Sequence, residues 1–220
     1  MIIPKEYYSK DTEQVAIKLL GKLLVRELNG KRMSGYIVET EAYYGAWDPA
    51  SKAYKSQKGD LTKTLYGEVG LTLIYGIHGK WLLNIVAHKG DGGAVLIRAI
   101  EPHEGLEYMI RNSETINPSK ITNGPGKLCK ALSIDKKLHK KPVYTRESGL
   151  WIEEGREVKE LEITRSHRIG VKIDLEKPHS ILKEIHTYQK GNKEINNKLT
   201  ESTDFHHNHL TYQDVAYRIH

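Results

Sequence analysis

Along Tyr36-Ile37-Val38-Glu39-Thr40-Glu41-Ala42-Tyr43, two carboxylates and a phenol recur at alternate positions. Side chains alternate across a strand, so Glu39, Glu41 and Tyr43 are expected on one face, with Tyr36, Val38 and Thr40 on the other. Two carboxylates beside an aromatic ring are unusual for a core and suit proton transfer or the orientation of water. Taken alone, they also read as a solvated strand surface. Cleavage of a sugar–sugar linkage by Glu39 and Glu41 is disfavoured, because carboxylates two apart on a strand sit closer than many acid/base pairs, and no sugar-binding aromatic array accompanies them. Elsewhere, Asn123-Gly124-Pro125-Gly126-Lys127 could present amides and Lys127 to a phosphate, or could simply be a helix-start turn. His206-His207-Asn208-His209 lacks partnering cysteines and the helical spacing of zinc proteases, so no metal is expected.

The chain of 220 residues is near the size at which one domain accounts for everything, and a single domain over 1–220 is expected. Its 38% hydrophobic residues are interspersed with charge, and no run approaches the roughly 20 apolar residues that span a bilayer, so no membrane partner is expected. The start, Met1-Ile2-Ile3-Pro4-Lys5-Glu6, lacks the basic and apolar segments of a secretory signal, which points to the cytoplasm or nucleoid. The single cysteine, Cys129, can form no internal disulfide and cannot supply the four thiolates of an iron–sulfur cluster. A net charge of +6 and a pI near 9.1 suit a polyanionic partner, though a merely soluble basic surface gives the same balance.

The elements that must position these residues are read from periodicity. Asp11 and Gln14 frame a helix start, and Val15, Ala16, Leu19 and Leu20 follow at helical spacing, with an end near Gly21. Leu23-Leu24-Val25 reads as a strand, Asn29-Gly30 as a tight hairpin turn, and Ser34 to Tyr43 as the returning strand. A polar stretch covers Gly45 to about Thr64. Leu71–Ile77 and Trp81–Val86 form a second hairpin with His78-Gly79-Lys80 at its tip, and a strand over Ala94–Ile100 stops at Pro102. Helices are expected from about His103 to Arg111 and after Gly126, with a surface loop or short helix over Lys183–Lys198. This order predicts an α+β fold with a mainly antiparallel, curved sheet, a β-hairpin wedge and surrounding helices.

Four ordered blocks, Tyr36–Tyr43, Ala94–Pro102, Gly124–Leu132 and Arg168–Val171, closely resemble the alkyladenine (3-methyladenine) DNA glycosylase family. The resemblance covers roughly residues 10–171; the family's closing strand motif is not recognisable in the last fifty residues. The resemblance implies a monomeric, cofactor-free enzyme acting on double-stranded DNA. Such an enzyme flips a damaged purine into a pocket and hydrolyses its glycosidic bond. Glu41 then matches the glutamate that activates water, Arg98 the arginine sharing that water, and Ile169 the position whose backbone carbonyl completes the site. An oxocarbenium-like transition state suits a nearby carboxylate, and Arg98 would help keep Glu41 ionised. The same residues would also serve a protein that flips damaged bases without cleaving them.

The resemblance further implies an aromatic pocket, of which Tyr43 matches one wall. Two registers compete for the other wall. Aligning Ile74-Tyr75-Gly76 by string makes Tyr75 the residue that fills the vacated base stack, but misplaces Asn84 by two positions. Aligning by distance from Glu41 makes Tyr75 the pocket aromatic and His78 the intercalating residue, with Asn84 and Arg98 both at family positions, and this register is preferred. Two departures stand out: Lys52 where the family carries a pocket histidine, and His78 where it inserts tyrosine. Lys52 could change specificity, weaken the enzyme, or point away from the base.

Overall fold

A computed structural model describes residues 1–55, 58–172 and 216–219. The segments Lys183–Lys198 and His206–His209 lie outside the described residues. Helix α1 (Thr12–Leu19) begins where Asp11 accepts N–H bonds from Glu13 and Gln14 at 3.0 and 3.4 Å, and it buries Val15, Ala16 and Leu19. It ends before Gly21, whose φ of +78° and whose approach to the Arg156 carbonyl leave no room for a Cβ. Strands β1 (Leu23–Leu28) and β2 (Lys31–Tyr44) are joined by Asn29 and Gly30, both at positive φ, as a two-residue hairpin requires.

The stretch expected to be merely polar holds two short helices, α2 (Lys52–Lys55) and α3 (Asp60–Leu65). Their apolar residues are too few for a periodicity to show; what fixes them is Ala53 and Leu65 packing on the sheet. Strands β3 (Thr72–Ile77) and β4 (Lys80–Val86) form the second hairpin, turning on His78 and Gly79 at φ +49° and +73°, with Lys80 already inside β4. Strand β5 (Gly93–Glu104) runs through Pro102 instead of stopping there. Among the described residues β4 pairs with β5 only over Ala94–Leu96, so that strand does not continue along this edge of the later half of β5. The Ile100 N–H points to that edge, towards the Thr122 carbonyl, and Pro102 two residues on loses no ladder bond. Helix α4 (Leu106–Asn112) accordingly starts later than the sequence suggests, after Gly105. Helices α5 (Pro118–Ile121) and α6 (Pro125–Ala131) and strands β6 (Leu150–Glu153), β7 (Ile163–Ser166) and β8 (Ala216–Ile219) complete the fold.

The fold is α+β, with an antiparallel sheet in the order β3-β4-β5-β2-β1-β6. A closing strand does exist: β8 pairs with both β2 and β7, although its residues carry no recognisable family motif. Strand β2 is the hub. One edge pairs with β5; the other pairs with β1 over Lys31–Tyr36 and with β8 over Glu39–Glu41. Where its partner changes, the register with β5 is irregular on both strands, around Val38 and Arg98. Simple alternation therefore fails there: Ile37 and Thr40 both face the α1 side, while Tyr36 packs on the opposite face with Leu23, Val25 and Trp151.

One face of the sheet carries the main core, in which Ile37, Ala42, Leu83, Ile85 and Ile97 meet Val15 and Leu19 of α1 and Leu128 of α6. Truncating one of these leucines or isoleucines to alanine costs about 2–5 kcal/mol. On the other face, Leu73, Val86 and Ala94 lie under Ala53 and Leu65. Between that patch and the Trp151 patch the face turns polar.

Candidate active site

Directly opposed residues in a sheet present their side chains to the same face, and one such row runs Leu73–Asn84–Leu96–Glu41. It places Glu41 and Asn84 two strands apart, roughly 10 Å, on the polar stretch of the second face. Both are buried, at 1% and 2% exposure. The Tyr43 hydroxyl donates to Glu41 Oε2 at 2.9 Å, and the Ile169 backbone N–H donates to Oε1 at 2.9 Å. The Ile169 group that reaches Glu41 is its amide.

Arg98 Nε lies 3.5 Å from Glu41 Oε1, but 3.3 Å from Glu39 Oε1. Its N–H is aligned on neither oxygen, so the attraction is Coulombic rather than a formed hydrogen bond. Glu39 is buried too, and Arg218 from β8 donates to the same Oε1 at 2.9 Å. Burial pushes the Glu41 carboxyl above the usual carboxylate range, opposed by the Ile169 amide, Arg98, Tyr43 and Arg168. The expectation that Arg98 favours the ionised form holds for its sign, while desolvation outweighs it. Burial, with Glu41 alongside, pushes the Tyr43 phenol far up, so it remains a donor.

The loop after β2 is tied to the loop bearing Ile169 by a buried bidentate pair. Arg168 Nη1 and Nη2 meet Asp48 Oδ2 and Oδ1 at 2.6 and 3.0 Å, and Nη1 also donates to the Ala42 carbonyl at 3.2 Å. The Arg168 guanidinium lies 4.7 Å from the Tyr43 ring centroid. Breaking such a pair leaves an uncompensated buried charge, typically costing 3–5 kcal/mol. Sequence reasoning assigned roles to neither Asp48 nor Arg168, nor to Arg218. Arg168 lay inside a quoted block, but nothing in a sequence signals a partner 120 positions away.

Tyr75 faces this same region. Its phenol is raised to about 12, chiefly by burial, with Asn84 beside it opposing. Asn84 is held by its Nδ2 donating to the Leu73 carbonyl at 3.1 Å. Lys52, at the start of α2, is exposed overall, yet its Nζ lies 5.1 Å from the Tyr75 ring centroid. Glu41, Tyr43, Arg98, Ile169, Asn84, Tyr75 and Lys52 are therefore gathered on one face. His78 sits apart, exposed at the hairpin tip, and Lys127 lies on α6 behind the hairpin, its Nζ donating to Asn123 at 2.8 Å. Among the described residues no three His, Cys, Asp or Glu side chains gather as a metal would require.

A carboxylate has about four lone-pair sites, and two of those on Glu41 are used by Tyr43 and Ile169. The remainder can accept from a water whose attack the ionised form would assist. The arrangement suits hydrolysis beside the Tyr43 and Tyr75 rings. Comparison with known proteins agrees in kind. The sequence model of the methylpurine-DNA glycosylase family matches residues 6–184, somewhat beyond the stretch where the resemblance is legible by eye. A putative 3-methyladenine DNA glycosylase of Aeropyrum pernix is 43% identical over 179 residues, covering 80% of this chain and 87% of its own. Proteins of the same description from Clostridium botulinum and Bacillus licheniformis are 39% and 42% identical, covering 78% and 77% of this chain and 88% and 85% of theirs. The chain belongs to the methylpurine-DNA glycosylase family.

Proposed function

We propose that the chain excises alkylated or deaminated purines from double-stranded DNA, acting as a monomer by base flipping, and leaves an abasic site. Water attacks C1′ and gives up a proton to Glu41, while the C1′–N bond breaks and its electron pair leaves with the purine. The single observation that carries this reading is Glu41, a buried carboxylate oriented by Tyr43 and the Ile169 amide, with acceptor capacity left over. Arg98 stabilises the charge that remains on Glu41. Tyr43 and Tyr75 supply faces on which an extruded base stacks, replacing the neighbours it loses, and Asn84 offers amide groups to its edge. His78, at the tip of a two-residue turn, enters the vacated stack, and Lys127 meets the backbone.

The test is excision from duplexes that each carry one lesion, followed by alkaline cleavage of abasic sites. Wild type releases base from at least one cationic or neutral alkylated purine. Glu41→Gln keeps lesion binding but loses excision by about 10³-fold or more, roughly 4 kcal/mol of barrier. Excision by the variant at the wild-type rate removes Glu41 from the reaction, and binding without excision by wild type makes the chain a damage-binding protein.

A further inference from the structure

The β3–β4 ribbon has a second working face. Tyr75, Leu82 and Asn84 point towards Glu41, whereas Leu83 lies in the core against α6 and Trp81, of the same parity, is 36% exposed on that side. There the ribbon and α6 enclose a cleft of about 450 Å³ that begins at the hairpin tip. Trp81 forms one wall, and Lys80, Lys120, Lys127 and Lys130 surround it. Among the described residues its one acidic lining residue, Glu114, is taken up by Lys130 at 2.5 Å, so the cleft is strongly cationic. Gly126 makes room for Lys80: a Cβ there would lie 2.8 Å from Lys80 Cβ and 2.7 Å from its Cδ, so the lysine stem lies across α6 where a larger residue would force it to shift.

We propose that this cleft holds the sugar–phosphate backbone of the strand opposite the lesion, an inference that rests on the glycosylase reading above. Lysines that neutralise phosphates fit a polyanion, and the Trp81 ring offers an apolar face to a deoxyribose. The choice of strand follows from the ribbon. Each groove of a duplex is bounded by its two strands, so a hairpin whose tip enters the base stack has one strand along each face. The extruded nucleotide occupies the Tyr75 face, which fixes the lesion strand there and leaves the Trp81 face to its complement.

The probe is a duplex bearing a tetrahydrofuran abasic analogue, whose dissociation constant is measured against salt for wild type, Lys80→Ala, Lys120→Ala and the double variant, each checked for an unchanged melting curve. Each substitution should lower the slope of log K against log salt by about one, and the double variant by about two, on this duplex and on an undamaged one. Uncharged methylphosphonate linkages in the undamaged strand should then abolish the difference between wild type and variants, while the same linkages in the lesion strand leave it intact. Unchanged slopes, or a lysine effect abolished only by linkages in the lesion strand, would overturn the assignment. Wild-type excision is scored separately, so failure of the glycosylase reading is visible on its own, and binding to undamaged duplex needs no catalysis.

Discussion

Glu39 should tune the acidity of Glu41, and its substitution by glutamine gives the most discriminating test of the site's electrostatics. Arg98 Nε is 3.3 Å from Glu39 Oε1 and 3.5 Å from Glu41 Oε1, so the two oxygens stand no more than about 7 Å apart. Two unit charges at that separation, at an effective dielectric near 20, repel by roughly 2.4 kcal/mol. Arg98 and Arg218 offset part of that repulsion. Glu39→Gln removes the repulsion and releases Arg98 towards Glu41, and both changes favour the ionised carboxylate. The other groups facing Glu41, namely Tyr43, Tyr75, the Ile169 amide and the Asp48–Arg168 pair, are untouched. On the proposed mechanism Glu41 works ionised, and because its carboxyl is raised the wild-type rate should fall with decreasing pH above the ordinary carboxylate range. Glu39→Gln should move that acid limb to lower pH by about one unit, read from single-turnover excision between pH 4 and 8, with the plateau retained. Arg218→Ala is the control: it removes a cation from the same cluster and cannot lower the limb. An unmoved or raised limb in Glu39→Gln, or a lowered limb in Arg218→Ala, would refute the reasoning.

The raised Glu41 carboxyl also has a stability sign. Native Glu41 binds its proton more tightly than unfolded glutamate, so its contribution is complete at acid pH and is lost as pH rises through the folded value. Glu41→Gln should melt a few degrees higher than wild type at pH 8, with the gap closing near pH 4 in calorimetry; a gap that widens on acidification contradicts the assignment. His78 stands at φ +49°, where glycine is at ease, so His78→Gly should leave the melting temperature unchanged or slightly raised. The same variant should weaken the signal of a fluorescent base beside the lesion, and an unaltered signal would move the wedge elsewhere. Lys52 Nζ already sits against Tyr75, and a cationic base stacked there, roughly 5 Å from the ammonium, would be repelled by about 3 kcal/mol, more than a cation–π gain of about 1–2 kcal/mol. Lys52→His should therefore raise excision of 7-methylguanine relative to hypoxanthine; an unchanged ratio means that Lys52 swings clear of the base.

What the sequence made legible follows the range of the forces involved. Hairpins turned where Asn29-Gly30 and His78-Gly79 supply positive φ, because turn chemistry is local. The cap on α1 was legible for the same reason. Glu39, Glu41 and Tyr43 do share a face, as alternation requires, yet Tyr36 and Thr40 do not share the other, because β2 exchanges β1 for β8 midway. That exchange depends on a strand some 175 residues away, which no local pattern encodes. The charge pairs were hidden for the same reason: Asp48 finds Arg168, and Glu39 finds Arg218, only after the sheet has brought distant segments together. The irregularity that broke the alternation is also chemically useful. By returning Ile37 and Ile100 to the core while Glu39 and Arg98 meet on the opposite face, it lets one arginine stand between two buried carboxylates. A perfectly regular β2–β5 ladder would have kept Ile37 and Glu39 on one face, exposing an isoleucine beside the site or burying the carboxylate in the main core.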